Sequence, residues 1–103
     1  MGKKSYGYDC PIARSLEVLG DRWTLLIVRD LLAGKRRYQE LLDSLSGIST
    51  NLLAERLRRL EHEGIITRHY YSEHPPRPEY VLTEKGRSLA AVLDALYNWG
   101  TTF

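Results

Sequence analysis

In the stretch STNLLAERLRRLE, Asn51, Ala54, Glu55 and Arg58 stand at i, i+3, i+4 and i+7, the spacing that puts four side chains on one face of a helix. Leu53, Leu57 and Leu60 fall on the opposite face, and Ser49 and Thr50 stand at the N-terminal end, where either can cap. An arginine guanidinium matches the paired acceptors of guanine, an asparagine carboxamide matches adenine, and a small alanine between them allows close approach. This face therefore carries the chemistry of reading base edges. An outer face with Arg and Glu is more often simply solvated, so the neighbouring elements must decide.

Three further sets of side chains could act with it. Lys35, Arg36 and Arg37 precede the segment YQELLDSL, where cations and the backbone amides of a helix start would together suit a phosphate. Such contacts position a protein on a duplex without reading its sequence. His74 and Arg77 lie in SEHPPRPEY, a stretch with three prolines between two strand-like runs. Prolines would hold that tip extended and present Arg77 with less entropy lost on binding, toward the negative potential of a narrow minor groove. The same prolines would also keep an exposed edge from aggregating, so a plain solvated tip is the alternative.

The lone cysteine, Cys10, precedes Pro11 at a helix start, where the helix dipole favours thiolate; Asp9 opposes this and Arg14 favours it. It is either a reactive thiol or a small residue filling a seam. With no second cysteine, a disulfide would have to join two chains, and the composition suits a reducing compartment. His62, His69 and His74 have no metal-ligand spacing, no phosphate-binding glycine loop is present, and no Ser-His-Asp grouping falls in a recognisable motif. No metal, no cofactor and no enzymatic activity are expected.

The elements that must position these groups follow from periodicity. Pro11 opens a short helix through Ile12, Leu16 and Leu19 that Gly20 stops, and Asp21 caps a second one, RWTLLIVRDLLA, apolar nearly all round. Tyr38, Leu41, Leu42 and Leu45 mark a helix of about two turns. The compact connector SGIS, with Gly47 free to take a left-handed conformation, leads into the base-reading helix, which ends at Gly64. From Ile65 the pattern turns to β: IITRHYY and EYVLT flank the proline-rich stretch as an antiparallel pair. Thr83 then caps a last helix with Leu89, Val92, Leu93, Leu96 and Trp99 on one stripe. Two helices joined by a glycine-containing turn, followed by a hairpin, is the order of a winged helix-turn-helix.

Length and charge agree. The 103 residues, 43% hydrophobic and 27% charged, suit one domain spanning residues 1–103 with a single core. Net charge is only +2, yet eleven of the fifteen cationic residues are arginine, the side chain suited to bidentate recognition. The longest nearly apolar run, WTLLIV, is far below the roughly 20 residues of a membrane span. No apolar stretch follows Lys3-Lys4 as in a signal peptide, and Tyr6 stands where myristoylation needs Ser or Thr. A cytoplasmic location is expected.

Taken together, DCPIARSLEVLGDRWTLLIVRDLL, KRRYQELL, GISTNLLAERLRRLEHEGIITR and PPRPEYVLTEKGRSL resemble the HxlR-type family of bacterial and archaeal winged-helix transcriptional regulators, relatives of the MarR and ArsR types. The resemblance runs from Cys10 to about Trp99. It implies an α+β, mainly α, winged helix-turn-helix with extra N-terminal and C-terminal dimerisation helices. It further implies a homodimer that binds double-stranded DNA at a two-fold symmetric operator, with repression the expected sign. On these motifs Asn51 and Arg58 match DNA-facing positions and Arg37 a backbone-contacting one, although many relatives carry a basic residue at position 51. Cys10 resembles a family cysteine that senses oxidants or electrophiles in several members, so an oxidant or small-molecule effector is a further expectation. Independently of the family, Leu89, Val92, Leu93, Leu96, Tyr97 and Trp99 are more apolar surface than one face of a terminal helix needs, which points to a dimer interface. The alternative from another class is a winged helix used only for protein contacts in a larger assembly.

Overall fold

The computed structural model describes residues 9–103, so the features expected at Lys3, Lys4 and Tyr6 lie outside the described residues. The chain runs α1 (Pro11–Leu19), α2 (Thr24–Leu32), α3 (Tyr38–Ser44), α4 (Thr50–His62), β1 (Ile66–Glu73), β2 (Pro76–Leu82), α5 (Glu84–Arg87) and α6 (Ala90–Thr102). It is mainly helical, with a two-stranded antiparallel sheet, as the winged helix-turn-helix pattern required.

The core forms where the stripes of α2, α3 and α4 meet the base of the hairpin. Ile27, Val28, Leu41, Leu53, Leu57, Leu60, Ile65 and Ile66 are fully buried there, with Trp23, Tyr80 and Leu82 at its margin. Of the leucines chosen from helical spacing in α3 and α4, Leu41, Leu45, Leu53, Leu57 and Leu60 are removed from water and Leu42 is part-buried against them. Between those helices, Gly47 has a φ of +96°, a conformation in which a β-carbon would be strained, and this lets the chain turn within a few residues.

Three expectations need correction. Helix α2 starts at Thr24 rather than Arg22, because Asp21 reaches forward and its carboxylate accepts from the amides of Trp23 (3.1 Å) and Thr24 (3.2 Å). The proline-rich stretch is not a long loop: the strands extend to Glu73 and Pro76 and leave only His74 and Pro75 as the turn. Pro76 and Pro78 sit inside β2, and a two-stranded sheet has only edges, where a missing amide donor is tolerated. The last helix is two helices, with a tighter turn at Ser88–Leu89 where Leu89 N–H bonds the Gly86 carbonyl at 3.1 Å. Gly86 lies so close to the hairpin that a β-carbon there would stand 2.2 Å from the Ile65 carbonyl oxygen. Helix α1 spans the residues expected of it and buries only Ala13, while Ile12 and Leu16 face solvent.

Candidate nucleic-acid interface

Helix α4 begins with Ser49 as its cap, the hydroxyl accepting from Leu52 N–H at 3.1 Å. The Tyr38 hydroxyl donates to the Thr50 carbonyl at 2.8 Å, so the first residue of α4 is tied to the first residue of α3. With Leu53, Leu57 and Leu60 buried, Asn51 and Arg58 are exposed on the opposite face and Ala54 and Glu55 are half-buried between them. Among the described residues, no ion pair or side-chain hydrogen bond engages Asn51 or Arg58. Both side chains face solvent. Glu55 pairs with its neighbour Arg56.

Arg56 and Arg59 were missed as a group by sequence reading, and they face away from the exposed side. Arg56 Nε lies 2.7 Å from Asp21 Oδ2, Arg59 lies 3.8 Å from Asp21 Oδ1, and Arg59 also donates to the Glu17 carbonyl. Burial pushes the Asp21 carboxyl up, but the Thr24 hydroxyl, the Trp23 amide and Arg56 outweigh it and hold the pKa below the ordinary aspartate value. The same junction raises Arg56, whose burial acts the other way. Of the three arginines in ERLRRLE, two therefore fasten α4 to the α1–α2 corner and Arg58 alone is presented. The available signal was that Leu52, Arg56 and Arg59 share a helical flank at i, i+4, i+7; their partner, more than thirty residues away, left no trace in sequence.

Lys35, Arg36 and Arg37 form the turn before α3, but the amides there are already engaged. Glu40 reaches back and accepts from Arg36 N–H (3.0 Å) and Arg37 N–H (2.9 Å), which lowers its pKa. Arg36 and Arg37 are both exposed, and the Arg37 guanidinium lies 4.1 Å from the Tyr71 ring centroid with its Nε 3.6 Å from Glu79. The cationic turn is thus joined to the hairpin, and Tyr80 N–H donates to the Arg36 carbonyl at 2.7 Å. At the hairpin tip His74 and Arg77 are exposed. The exposed face of α4, the cationic turn and the hairpin therefore form one connected block.

The remaining candidates lie elsewhere. Cys10 is half-buried at the start of α1, and Arg14, one turn on, pairs with Asp9. Leu89 and Leu93 turn inward against the core, whereas Val92, Leu96, Tyr97 and Trp99 stay exposed. A groove of about 530 Å³ runs between α2 and α6, lined by Leu26, Leu32, Leu93, Leu96 and Tyr97 among others. Helix α6 buries none of its residues. Among the described residues no group of three or more His, Cys, Asp or Glu side chains could hold a metal, and no helix is long and apolar enough to cross a membrane.

Residues 18–103 match the model of the HxlR-like helix-turn-helix family. The chain belongs to that family. An HTH-type transcriptional regulator of Synechocystis sp. is 46% identical over 95 residues, which cover 92% of this chain and 70% of the relative. Among solved structures, a transcriptional regulator described as HTH-type, ytcD, superimposes with a TM-score of 0.85 at 39% identity, covering 91% of this chain and 96% of that one. The redox regulator HypR in its reduced form superimposes with a TM-score of 0.84 at 33% identity, covering 90% and 92%. This HxlR-like protein is accordingly a transcriptional regulator with a helix-turn-helix domain. Regulator names among its relatives agree with a non-enzymatic protein.

Proposed function

We propose that this protein is a sequence-specific DNA-binding regulator, acting in the cytoplasm as a homodimer on a two-fold symmetric operator, with repression as its ordinary output. The single observation that carries this reading is the face of α4 on which Asn51 and Arg58 stand exposed and, among the described residues, unpaired, beside a hairpin that displays Arg77. Asn51 and Arg58 read base edges with Ala54 allowing approach, Ser49, Thr50 and Glu55 line the same end and flank, Lys35 and Arg36 meet phosphates, and His74 and Arg77 reach beyond as the wing. The homodimer is supported by the exposed apolar residues of α1 and α6, Ile12, Leu16, Val92, Leu96, Tyr97 and Trp99, which a symmetry mate would cover.

Regulation through Cys10 belongs to the same reading. It is supported by the place of the thiol at the start of an under-covered α1 and by the likeness to a regulator named for redox control. The step is loss of two electrons and two protons from two Cys10 thiols, one per chain, to an oxidant such as diamide, leaving one intermolecular disulfide. The altered dimer then changes its grip on the operator.

Selection of binding sites from random duplexes, with purified protein reduced and oxidised, tests all of this. Enrichment of a two-fold symmetric site with half-sites about one helical turn, 10–10.5 base pairs, apart is the expected result. Recovery of no enriched sequence would favour a winged helix used for protein contacts. Diamide-insensitive affinity, or an equally responsive Cys10→Ser variant, would remove the thiol from the mechanism.

A further inference from the structure

Strand pairing in the hairpin is regular until Tyr70 opposes Pro78; the next pair is Ser72 with Arg77, so Tyr71 is an extra residue on β1. Pro78 has no N–H to donate, and a two-against-one step is cheap opposite such a residue. A bulge re-aims the side chain it carries. Here the Tyr71 ring lies 4.1 Å from the Arg37 guanidinium, and Arg37 Nε is 3.6 Å from Glu79 Oε2, one residue beyond Pro78. The flanking residues tie the same turn in both directions, with the Arg36 carbonyl accepting from Tyr80 N–H at 2.7 Å and the Tyr38 hydroxyl donating to the Thr50 carbonyl at 2.8 Å. Three consecutive residues, Arg36, Arg37 and Tyr38, thus connect the wing to the first residue of the recognition helix.

We propose that Tyr71 and Glu79 grip Arg37 as a joint that fixes the angle of the wing to α4, which makes Tyr71 a positioning residue for DNA binding that acts through Arg77. Arg37 is then chiefly a strut. Its charge is already matched by Glu79 and by the ring, so Lys35 and Arg36 are left as the freer phosphate ligands of that turn. This role presupposes the DNA-binding function proposed above.

The test combines a measurement without DNA and one with it. In ¹⁵N relaxation, Tyr71→Leu is expected to lower the amide order parameters of His74 and Arg77 while those of α4 stay unchanged, and Tyr71→Phe, which keeps the ring, is expected to match the wild type. On the selected operator, Tyr71→Leu is expected to weaken binding about 2- to 5-fold. In an Arg77→Ala background it is expected to cost nothing more, whereas its effect adds in full to that of Arg58→Ala. A loss of stability alone would add in both backgrounds. Unchanged order parameters, or losses that add with Arg77→Ala, would overturn the joint. A wing that loosens in a protein whose wild type selects no duplex would instead overturn the DNA-binding function, and the positioning role with it.

Discussion

At the scale of residues, the arginines of α4 divide by what they touch. Arg58 has no partner among the described residues and stands on the exposed face, so Arg58→Ala is expected to lose about 1–3 kcal/mol on the preferred operator and to relax the base preference at one position. Binding-site selection with the variant reads both effects. Arg56 and Arg59 instead converge on Asp21, where removing the carboxylate leaves a part-buried guanidinium short of an acceptor. Asp21→Asn is expected to destabilise the fold by about 1–3 kcal/mol near pH 7. The folded pKa of Asp21 is depressed, so the stabilisation is present in full above the unfolded value of about 3.9 and fades as pH falls through the lower folded value. Urea unfolding of wild type and Asp21→Asn should therefore differ at pH 7, and the gap should narrow as pH is lowered below about 3.9; a constant gap would show that the carboxylate's ionisation contributes nothing. Helical spacing separated Arg58 from the leucines, but not from the neighbours whose charges another helix uses up.

At the scale of elements, the hairpin and the α5–α6 break show how contacts reshape what local pattern suggests. Proline content argued for a loop in SEHPPRPEY, yet β2 takes Pro76 at its first position, opposite Glu73, and Pro78 beside the bulge at Tyr71, because both strands of the pair are edges. The apolar stripe from Leu89 to Trp99 suggested one continuous helix from Thr83, yet the chain tightens at Ser88–Leu89 where Gly86 presses on the Ile65 carbonyl. Thr83 keeps its capping role, its hydroxyl accepting from Gly86 N–H at 3.1 Å. Gly86→Ala places a β-carbon 2.8 Å from Leu82 and closer still to backbone, so it is expected to cost about 1–3 kcal/mol. For a domain of this size that lowers the thermal midpoint by roughly 4–8 °C per kcal/mol, measurable by circular dichroism. An unchanged midpoint would mean that α5 can slide off the hairpin without penalty.

At the scale of the whole molecule, the exposed apolar surface of α1 and α6 is what supports the proposed homodimer. Tyr97 is 74% exposed, Trp99 67% and Ile12 71%, and α6 carries Asp94 as its one charged residue. Leu96→Asp is expected to leave the helix-turn-helix core intact and to halve the mass seen by sedimentation equilibrium, with operator affinity falling at least tenfold as two half-sites are no longer bound together. A variant that stays dimeric would move the interface off α6. Operator affinity itself should fall steeply between 50 and 200 mM salt, because phosphates and their counterions supply much of it. Affinity insensitive to salt would contradict the roles given to Lys35 and Arg36.

The succession from the N-terminal helices to the hairpin, the buried leucines of α3 and α4 and the exposed pair Asn51 and Arg58 were set by the sequence alone, since period and capping act over a few residues and at these positions the local preference agrees with the fold. Tertiary structure alone decided that Arg56 and Arg59 serve Asp21, that Arg37 rests on Tyr71 and Glu79, and that Leu89 and Leu93 turn inward while Leu96 and Trp99 do not. The physical reason is that a charge or a ring is committed by whatever lies within a few ångströms of it, and for these residues that neighbour is brought from a distant part of the chain by packing of the core.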